Sequence, residues 1–592
     1  MSRHRRLAIP VSTILAFATL LSATSAAIAK DEKPPVLRDR SEVEVQILAL
    51  NDFHGNLLPP SGSSGRVGPS GTGTTAGGAE YLATHVRNLE QTNANTIVVS
   101  AGDLIGASPL LSALFHDEPT IEAMNQIGLD INAVGNHEFD EGTAELLRMQ
   151  NGGCHPTDGC QDGTGFAGAD FEFLAANVVN ESTGQTLFAP YTVRNFNGAR
   201  VAFIGMTLEG TPNIVSPSGV AGFDFLDEAD TVNALIPQIR RSGVEAIVVL
   251  LHEGATPAGS VNQTSINQCG AGNAGISGAV VDIANRLDGA VDLLVSGHTH
   301  QPYTCTINGL PVTSAYSFGR LLTDIDMRIS RATKDVTSIE INNLIVTRDV
   351  PADQGITDLI AHYDTFADPI ANRPIGHITA DITRTNDDSL EQPMGNVIAD
   401  AQLDATDDPG FGDAVVSFMN PGGVREALLY ASSPEGEGDG VVTYGELFTV
   451  QPFGNSLVTM TLTGAQIEQA LEQQFCGLNS PANGFFYKVL LPSDGFHYTW
   501  DASAAGAASC VGADAVDPAG ITLNGVPLDL AASYRVTVNS FLADGGDGFP
   551  ALAQGTNRLG GAVDTDAFEA YLAAAEPTGI SPAPTDRIDV VP

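Results

Sequence analysis

The chain has 592 residues, 43% of them hydrophobic, which supplies material for two or more buried cores and exceeds the length of one ordinary domain. Its 70 acidic residues against 27 basic ones give a net charge of −43, which argues against a nucleic-acid polymer or an anionic membrane surface as a general partner. Any phosphate site on such a chain needs its charge reversed locally by arginines, helix amino termini or metal ions.

The opening residues Met1-Ser2-Arg3-His4-Arg5-Arg6 are basic and are followed by an apolar stretch at 7–21 and small residues at 22–29. This pattern predicts a secretory signal peptide over residues 1–29, cut after Ala27-Ile28-Ala29 and before Lys30. No later apolar run is long enough to cross a bilayer, so a secreted protein is expected. Export makes disulfides the expected use of the six cysteines. Pairing sequence neighbours, Cys154 with Cys160, Cys269 with Cys305 and Cys476 with Cys510, keeps each loop within one domain. A structural zinc is the rival use, but the Cys154/Cys160 segment lacks paired C-x-x-C spacing.

Val43, Val45, Ile47, Leu48 and Leu50 predict a strand that ends at Asn51-Asp52-Phe53-His54-Gly55-Asn56. Asp52 and His54 are two apart and face the same side of extended backbone. Residues 59–78, rich in Gly, Ser, Pro and Thr, predict a mobile loop, and a helix over 79–91 follows. The strand 96–100 runs into Ala101-Gly102-Asp103. A helix around 121–127 leads to an apolar strand at 131–134, which delivers Gly135-Asn136-His137-Glu138-Phe139-Asp140. The strand 246–251 ends at His252, and the strand 291–295 ends at Ser296-Gly297-His298-Thr299-His300.

Taken alone, the Asn136 group reads equally as a capped strand-to-helix turn or as a metal ligand beside an imidazole and its orienting carboxylate. The recurrence decides between them. Five apolar strands end in Asp, Asn or His, and five of the 12 histidines (His54, His137, His252, His298, His300) lie in these groups. In layered α/β proteins, loops at the carboxyl ends of strands converge on one edge of the sheet, where ligands gather. Asp, His and Asn without cysteine suit divalent Zn, Mn, Fe, Co or Mg, and a bridging carboxylate makes a two-metal hydrolytic centre.

The order D-x-H, G-D, G-N-H-E-x-D, H and G-H-x-H resembles the calcineurin-like metallophosphoesterase superfamily. Ile47-Leu48-Ala49-Leu50-Asn51-Asp52-Phe53-His54-Gly55 and Asn136-His137-Glu138-Phe139-Asp140 are similar to its secreted 5′-nucleotidase and UDP-sugar hydrolase family. The resemblance implies a four-layer αββα metal domain over 41–345. It implies two divalent ions, with Asp52 and His54 on one, Asp103 bridging, Asn136, His252 and His298 on the other, and His300 returning to the first. It makes His137 and Asp140 the catalytic dyad.

Ile356, Leu359, Ile360, Tyr363 and Phe366 fall at helical spacing and predict a linking helix within 346–374, closed by Pro369 and Pro374. The segment 375–592 is then a smaller α+β domain. A helix opens at Met394-Gly395-Asn396. Asn420-Pro421-Gly422-Gly423-Val424-Arg425 is a strand end with a glycine turn, and Val450-Gln451-Pro452-Phe453-Gly454-Asn455 is expected to follow another strand. Phe541 and Asp547 flank the turn Gly545-Gly546. An arginine for an anion, aromatic rings for a planar group and amide or carboxylate partners describe a nucleotide pocket, while core packing and plain turns explain any one cluster as well.

The order of these clusters resembles the carboxyl-terminal substrate domain of the same family. The resemblance implies that Phe453 and Phe541 stack on the base, that Asn455 and Asp547 contact base or ribose, and that Asn420 and Arg425 lie near the phosphate. Ser389-Leu390-Glu391-Gln392-Pro393 stands where family members often carry further arginines, with Arg384 upstream. The expected activity is release of phosphate from nucleoside 5′-monophosphates. Its rivals are cleavage of 2′,3′-cyclic nucleotides or UDP-sugars, and a secreted nucleotide- or metal-binding protein without turnover.

Overall fold

The computed structural model describes residues 41–60, 62–68, 73–213, 215, 219–259, 265–431, 436–481 and 487–591. The expected signal peptide with its cleavage position lies outside the described residues, as do 61 and 69–72 of the expected loop.

Alternation along the strand Glu42–Leu50 sets the layering of the first half. Val43, Val45, Ile47 and Ala49 point to one face and Leu48 and Leu50 to the other, as the period of two of a strand requires. The first set packs against Val201, Phe203, Val248 and Leu250 of a second sheet. The other set packs under the helices Ala79–Glu90 and Glu118–Ile127. The second sheet is covered on its far face by the helices Glu228–Arg241 and Ala279–Arg286. The four layers αββα follow from these two alternations.

Each large sheet has six strands. In the first, Glu42–Leu50 lies parallel to Thr96–Ser100, which lies parallel to Ile131–Ala133. In the second, Ala246–His252 lies parallel to Leu293–Ser296. The five strands with polar ends are thus split three and two between the sheets, and their carboxyl ends meet on one rim of the sandwich.

The helix Gln354–Ala371 sends Ile356, Leu359, Ile360, Tyr363 and Ala367 into the same core as the covering helices of the first sheet. It is capped by Asp353, whose side chain accepts from the Ile356 N–H at 3.1 Å. Pro369 does not close this helix as expected: it sits in the last turn, where its missing N–H costs one bond and leaves the preceding turns intact.

The second half holds a five-stranded sheet, in which Val416–Met419 and Ser456–Thr463 flank Ser533–Asn539, and a four-stranded sheet that takes in the last strand, Ile588–Val591. One expected element is wrong here. The segment before Gln451 is the helix Tyr444–Val450, not a strand. Thr443 and Glu446 form a reciprocal capping box, which overrides the strand preference of Tyr, Phe, Thr and Val. The six cysteines are joined as sequence neighbours, 154–160, 269–305 and 476–510. Among the described residues no helix is long and apolar enough to cross a membrane.

Phe115 is buried and meets Tyr363 edge to face, with ring centroids 4.9 Å apart, so it anchors the linking helix to the first half. Phe115→Ala is expected to lower stability by about 3–5 kcal/mol, read from urea unfolding.

Candidate metal centre and active site

Asp52, His54, Asp103, His298 and His300 all have left-handed backbone, with φ of 49°, 47°, 51°, 68° and 50°. Such a conformation costs about 1–3 kcal/mol per non-glycine residue and persists where the surroundings over-determine it. Here the strand-end loops hold one another. The Asp52 N–H donates to the Gly102 carbonyl at 2.9 Å and the His54 N–H to the Asp103 carbonyl at 3.0 Å. The His298 N–H donates to Asp52 Oδ1 at 2.9 Å.

The side chains converge. Asp103 Oδ2 lies 2.9 Å from His252 Nε2 and 3.6 Å from His54 Nε2. His54 Nε2 lies 3.0 Å from His300 Nε2, which is 3.4 Å from Asp52 Oδ1. Asn136 Oδ1 lies 3.1 Å from His252 Nε2 and 3.0 Å from His298 Nδ1. All seven residues expected as ligands therefore belong to one cluster, with Asp103 between an Asp52–His54–His300 group and an Asn136–His252–His298 group.

The donor chemistry fits divalent cations. His54 Nδ1 faces the Gly106 carbonyl and His252 Nδ1 the Ala101 carbonyl, each at 2.8 Å, so both Nδ1 atoms donate and both Nε2 atoms turn their lone pairs inward. His252 Nε2 then faces two acceptors, Asp103 Oδ2 and Asn136 Oδ1, an arrangement that holds a proton or a cation. Burial, with His300 alongside, holds His54 down to about 3, and burial with His252 holds His298 down to about 4, so both imidazoles are neutral donors. Burial opposes charge on His252, but Asp103 outweighs it and raises the group to about 10. The histidines in turn keep Asp103 well below the usual carboxylate range in spite of its burial.

His137 and Asp140 sit on the rim of this cluster. Asp140 Oδ2 lies 2.8 Å from His137 Nδ1, and the His137 N–H donates to Asp103 Oδ1 at 3.0 Å. Burial works against charge on His137, but Asp140 and Asp103 raise it to about 10.

Sequence reasoning left Glu138 without a role, and the structure assigns it one. Its buried carboxylate accepts from the Gly135 N–H at 2.8 Å, from the Asp103 and Leu104 N–H groups at 3.0 Å each, and from Asn132 Nδ2 at 3.1 Å. It ties the loop carrying Asp103 to the loop carrying Asn136. Burial and the nearby Asp103 push its carboxyl up to about 7, against the four donors that favour the anion. The preceding glycines are needed for the same close approach. A side chain at Gly102, which has φ +91°, would run into the His252 ring, and one at Gly135 would run into Asp103 Oδ1.

In the second half, Asn420 Nδ2 donates to Asp547 Oδ2 at 2.8 Å, and Lys488 pairs with Asp547 Oδ1. Lys488 was not anticipated, because an isolated lysine beside Tyr487 carries no motif. The Arg425 guanidinium lies 5.6 Å from the Phe453 ring centroid, and Arg384 donates to the Arg425 carbonyl, which places it beside Arg425. Asn455 Oδ1 accepts from Ser540 Oγ at 3.3 Å, next to Phe541, which is 48% exposed. Asn396, by contrast, is a structural residue bonded to Glu391 at 2.5 Å and to the Pro584 carbonyl at 3.0 Å.

The two halves meet beside the Asp103 cluster. A Cβ on Gly454 would lie 3.4 Å from the Ala107 Cα, so the Phe453-Gly454-Asn455 turn rests on the loop that follows Asp103. A cavity of about 660 Å³ beside it is lined by His298 and Pro212 from the first half and by Ser456, Asp544 and Arg558 from the second. Burial pushes Asp544 up to about 6, against Arg558 and the charge of His137.

Glu138→Gln places an amide against buried N–H donors. Each orphaned donor is expected to cost about 1–3 kcal/mol, and affinity for divalent ions should fall about 10–100-fold, read from thermal unfolding and metal titration.

Residues 45–302 match the family described as calcineurin-like phosphoesterase, and residues 374–554 match the 5′-nucleotidase C-terminal domain. The chain is 32% identical to endonuclease YhcR of Bacillus subtilis over 95% of its own length and 42% of that protein. It is also 32% identical to a cell wall protein of Listeria monocytogenes, over 90% of this chain and 67% of the relative. The chain thus spans less than half of the Bacillus protein. The crystal structure of a 5′-nucleotidase precursor from Thermus thermophilus, 25% identical, covers 93% of this chain and 99% of its own, with a TM-score of 0.57. Two matched segments in this order, on an αββα half and a smaller half that meet at one cluster of Asp, Asn and His, place the chain in the 5′-nucleotidase family of calcineurin-like phosphoesterases.

Proposed function

We propose that the chain is an exported hydrolase that releases phosphate from nucleoside 5′-monophosphates, with two divalent ions held by Asp52, His54, Asp103, Asn136, His252, His298 and His300. The observation that carries this reading is the seat of the Phe453-Gly454-Asn455 turn against the Ala107 loop, which brings an aromatic and amide group to the rim of the Asp103 cluster. The three disulfides support export to an oxidising compartment.

When bound, the ions supply neutralisation of phosphoryl charge and a water made acidic enough to attack near neutral pH. The protein supplies the rest. Asp140 engages His137 Nδ1 and fixes the ring, which leaves Nε2 for the substrate. From there the imidazole donates a proton to the leaving oxygen or stabilises the equatorial phosphoryl oxygens. Phe453 and Phe541 hold the base between their faces. Asn455 and Asp547 meet base or ribose hydroxyls, with Lys488 and Asn420 orienting Asp547. Arg425, steadied by Arg384, offers local positive charge for the phosphate on a chain whose net charge is −43. The endonuclease relative extends well beyond the shared region, so its activity is not carried over to this chain.

Asp103→Asn is expected to lose both bound metal and hydrolysis of AMP. His137→Ala is expected to keep the metal and lose about 10²–10⁴-fold in turnover. Phosphate release and metal analysis on the same preparations check both, and a His137→Ala enzyme at the wild-type rate would overturn the dyad.

A further inference from the structure

Between the strands Leu310–Ala315 and Leu321–Ser330 the chain passes from the second sheet to the first, and the crossing, 316–320, runs along the Asp52 side of the cluster. Tyr316 and Phe318 both have left-handed backbone there, with φ of 68° and 60°. For a bulky aromatic residue such a conformation is an outlier that only its surroundings can hold. One anchor is the end of the first strand. Asn51 Nδ2 donates to the Tyr316 carbonyl, Asn51 Oδ1 accepts from the Ala315 N–H, and the Phe318 N–H donates to the Asp52 carbonyl, each at 2.7 Å.

The other anchor is Arg320, which is 5% exposed and has no carboxylate at ion-pairing distance among the described residues. A buried charge of this kind is costly unless polar groups surround it. Its Nε donates to the Ser317 carbonyl at 3.0 Å and its Nη2 to Ser317 Oγ at 2.6 Å, so the fork closes on one residue. Nη1 donates to the Arg66 carbonyl at 3.4 Å. Ser317 is itself fully buried, so the fork also satisfies a hydroxyl that water does not reach. The guanidinium carbon lies 3.7 Å from the Tyr316 ring centroid and 5.3 Å from that of Phe318, which adds two aromatic faces to its partners.

Phe318 is the part of this loop that meets the cluster. Its ring packs edge to face with His300, centroids 5.3 Å apart, and with His54, 5.9 Å apart. An imidazole that is 38% exposed, as His300 is, turns easily unless a neighbour confines it, and Phe318 is placed to do so. We propose that Arg320 is a positioning residue for the half of the centre made by Asp52, His54 and His300: it holds Phe318 against both imidazoles and so keeps their nitrogens aimed at one ion. This rests on the two-ion reading above. Two effects of Arg320 oppose each other, since its charge repels a cation while its fork orders the ligands. Ordering dominates, because loss of an orienting partner costs about 10–100-fold in metal affinity and the guanidinium charge is already spread over carbonyls and ring faces. Lysine keeps the charge but has no planar fork, so it separates the two effects.

The test is cobalt(II) titration of the metal-free full chain, read by calorimetry and visible absorption, for wild type, Arg320→Lys, Arg320→Met and Phe318→Leu, with folding checked by circular dichroism. Wild type is expected to bind in two steps, and His300→Ala marks which step belongs to the Asp52–His54–His300 half. Each variant is expected to weaken that step about 10–100-fold and to leave the other unchanged. Phe318→Leu keeps the fork and removes the ring, so it decides the matter if the Arg320 variants do not fold. Unchanged binding in any folded variant, tighter binding in Arg320→Met, or equal weakening of both steps overturns the proposal. A wild type that takes up a single ion overturns the two-ion reading, and the proposal with it.

Discussion

The Asp103 carboxylate is the contact through which the strand ends are registered. Its Oδ1 accepts from the His137 N–H, its Oδ2 faces His252, its carbonyl accepts from the His54 N–H and its own N–H donates to Glu138. A buried anion is costly unless donors and cations surround it. This one is surrounded by groups from the strand ends of both sheets, so the two sheets can pack closely only with those ends in the right order. The left-handed backbone at five of the seven expected ligand positions is the strain that this convergence requires.

The same constraint explains which residues flank the cluster. Gly102 and Gly135 leave room for the His252 ring and for Asp103 itself, and Glu138 supplies the acceptors that the turning backbone needs. The second half meets the rim where Gly454 fits against Ala107 and where Asp544 and Arg558 line the cavity beside His298, and its helix Tyr444–Val450 packs on the linking helix. The two halves thus keep separate hydrophobic cores.

Much of this was legible in the sequence. The alternation of Val43, Val45, Ile47 and Ala49 with Leu48 and Leu50 encodes a strand buried on both faces, and the recurrence of Asp, Asn and His at strand ends marks the rim. What was not legible depends on distant partners. Glu138 resembles any turn carboxylate until the backbone of the Asp103 loop is placed over it. Lys488 gains its meaning only from Asp547, which folds against it from far along the chain. The helix Tyr444–Val450 was misread because its residues favour strands, although Thr443 and Glu446 already spelled the capping box that starts it. Pro369 was given too much weight as a helix terminator, since a proline in a last turn removes a single hydrogen bond.

The most direct measurement offers AMP, 2′,3′-cyclic AMP and UDP-glucose in parallel to one metal-loaded preparation and reads free phosphate from AMP and the nucleotide products of the other two. The arrangement of the Asp103 cluster beneath the Phe453 turn predicts metal-dependent release from AMP as the fastest reaction. No phosphate from AMP at any divalent metal, with either of the other substrates cleaved or nucleotide merely bound, would contradict it.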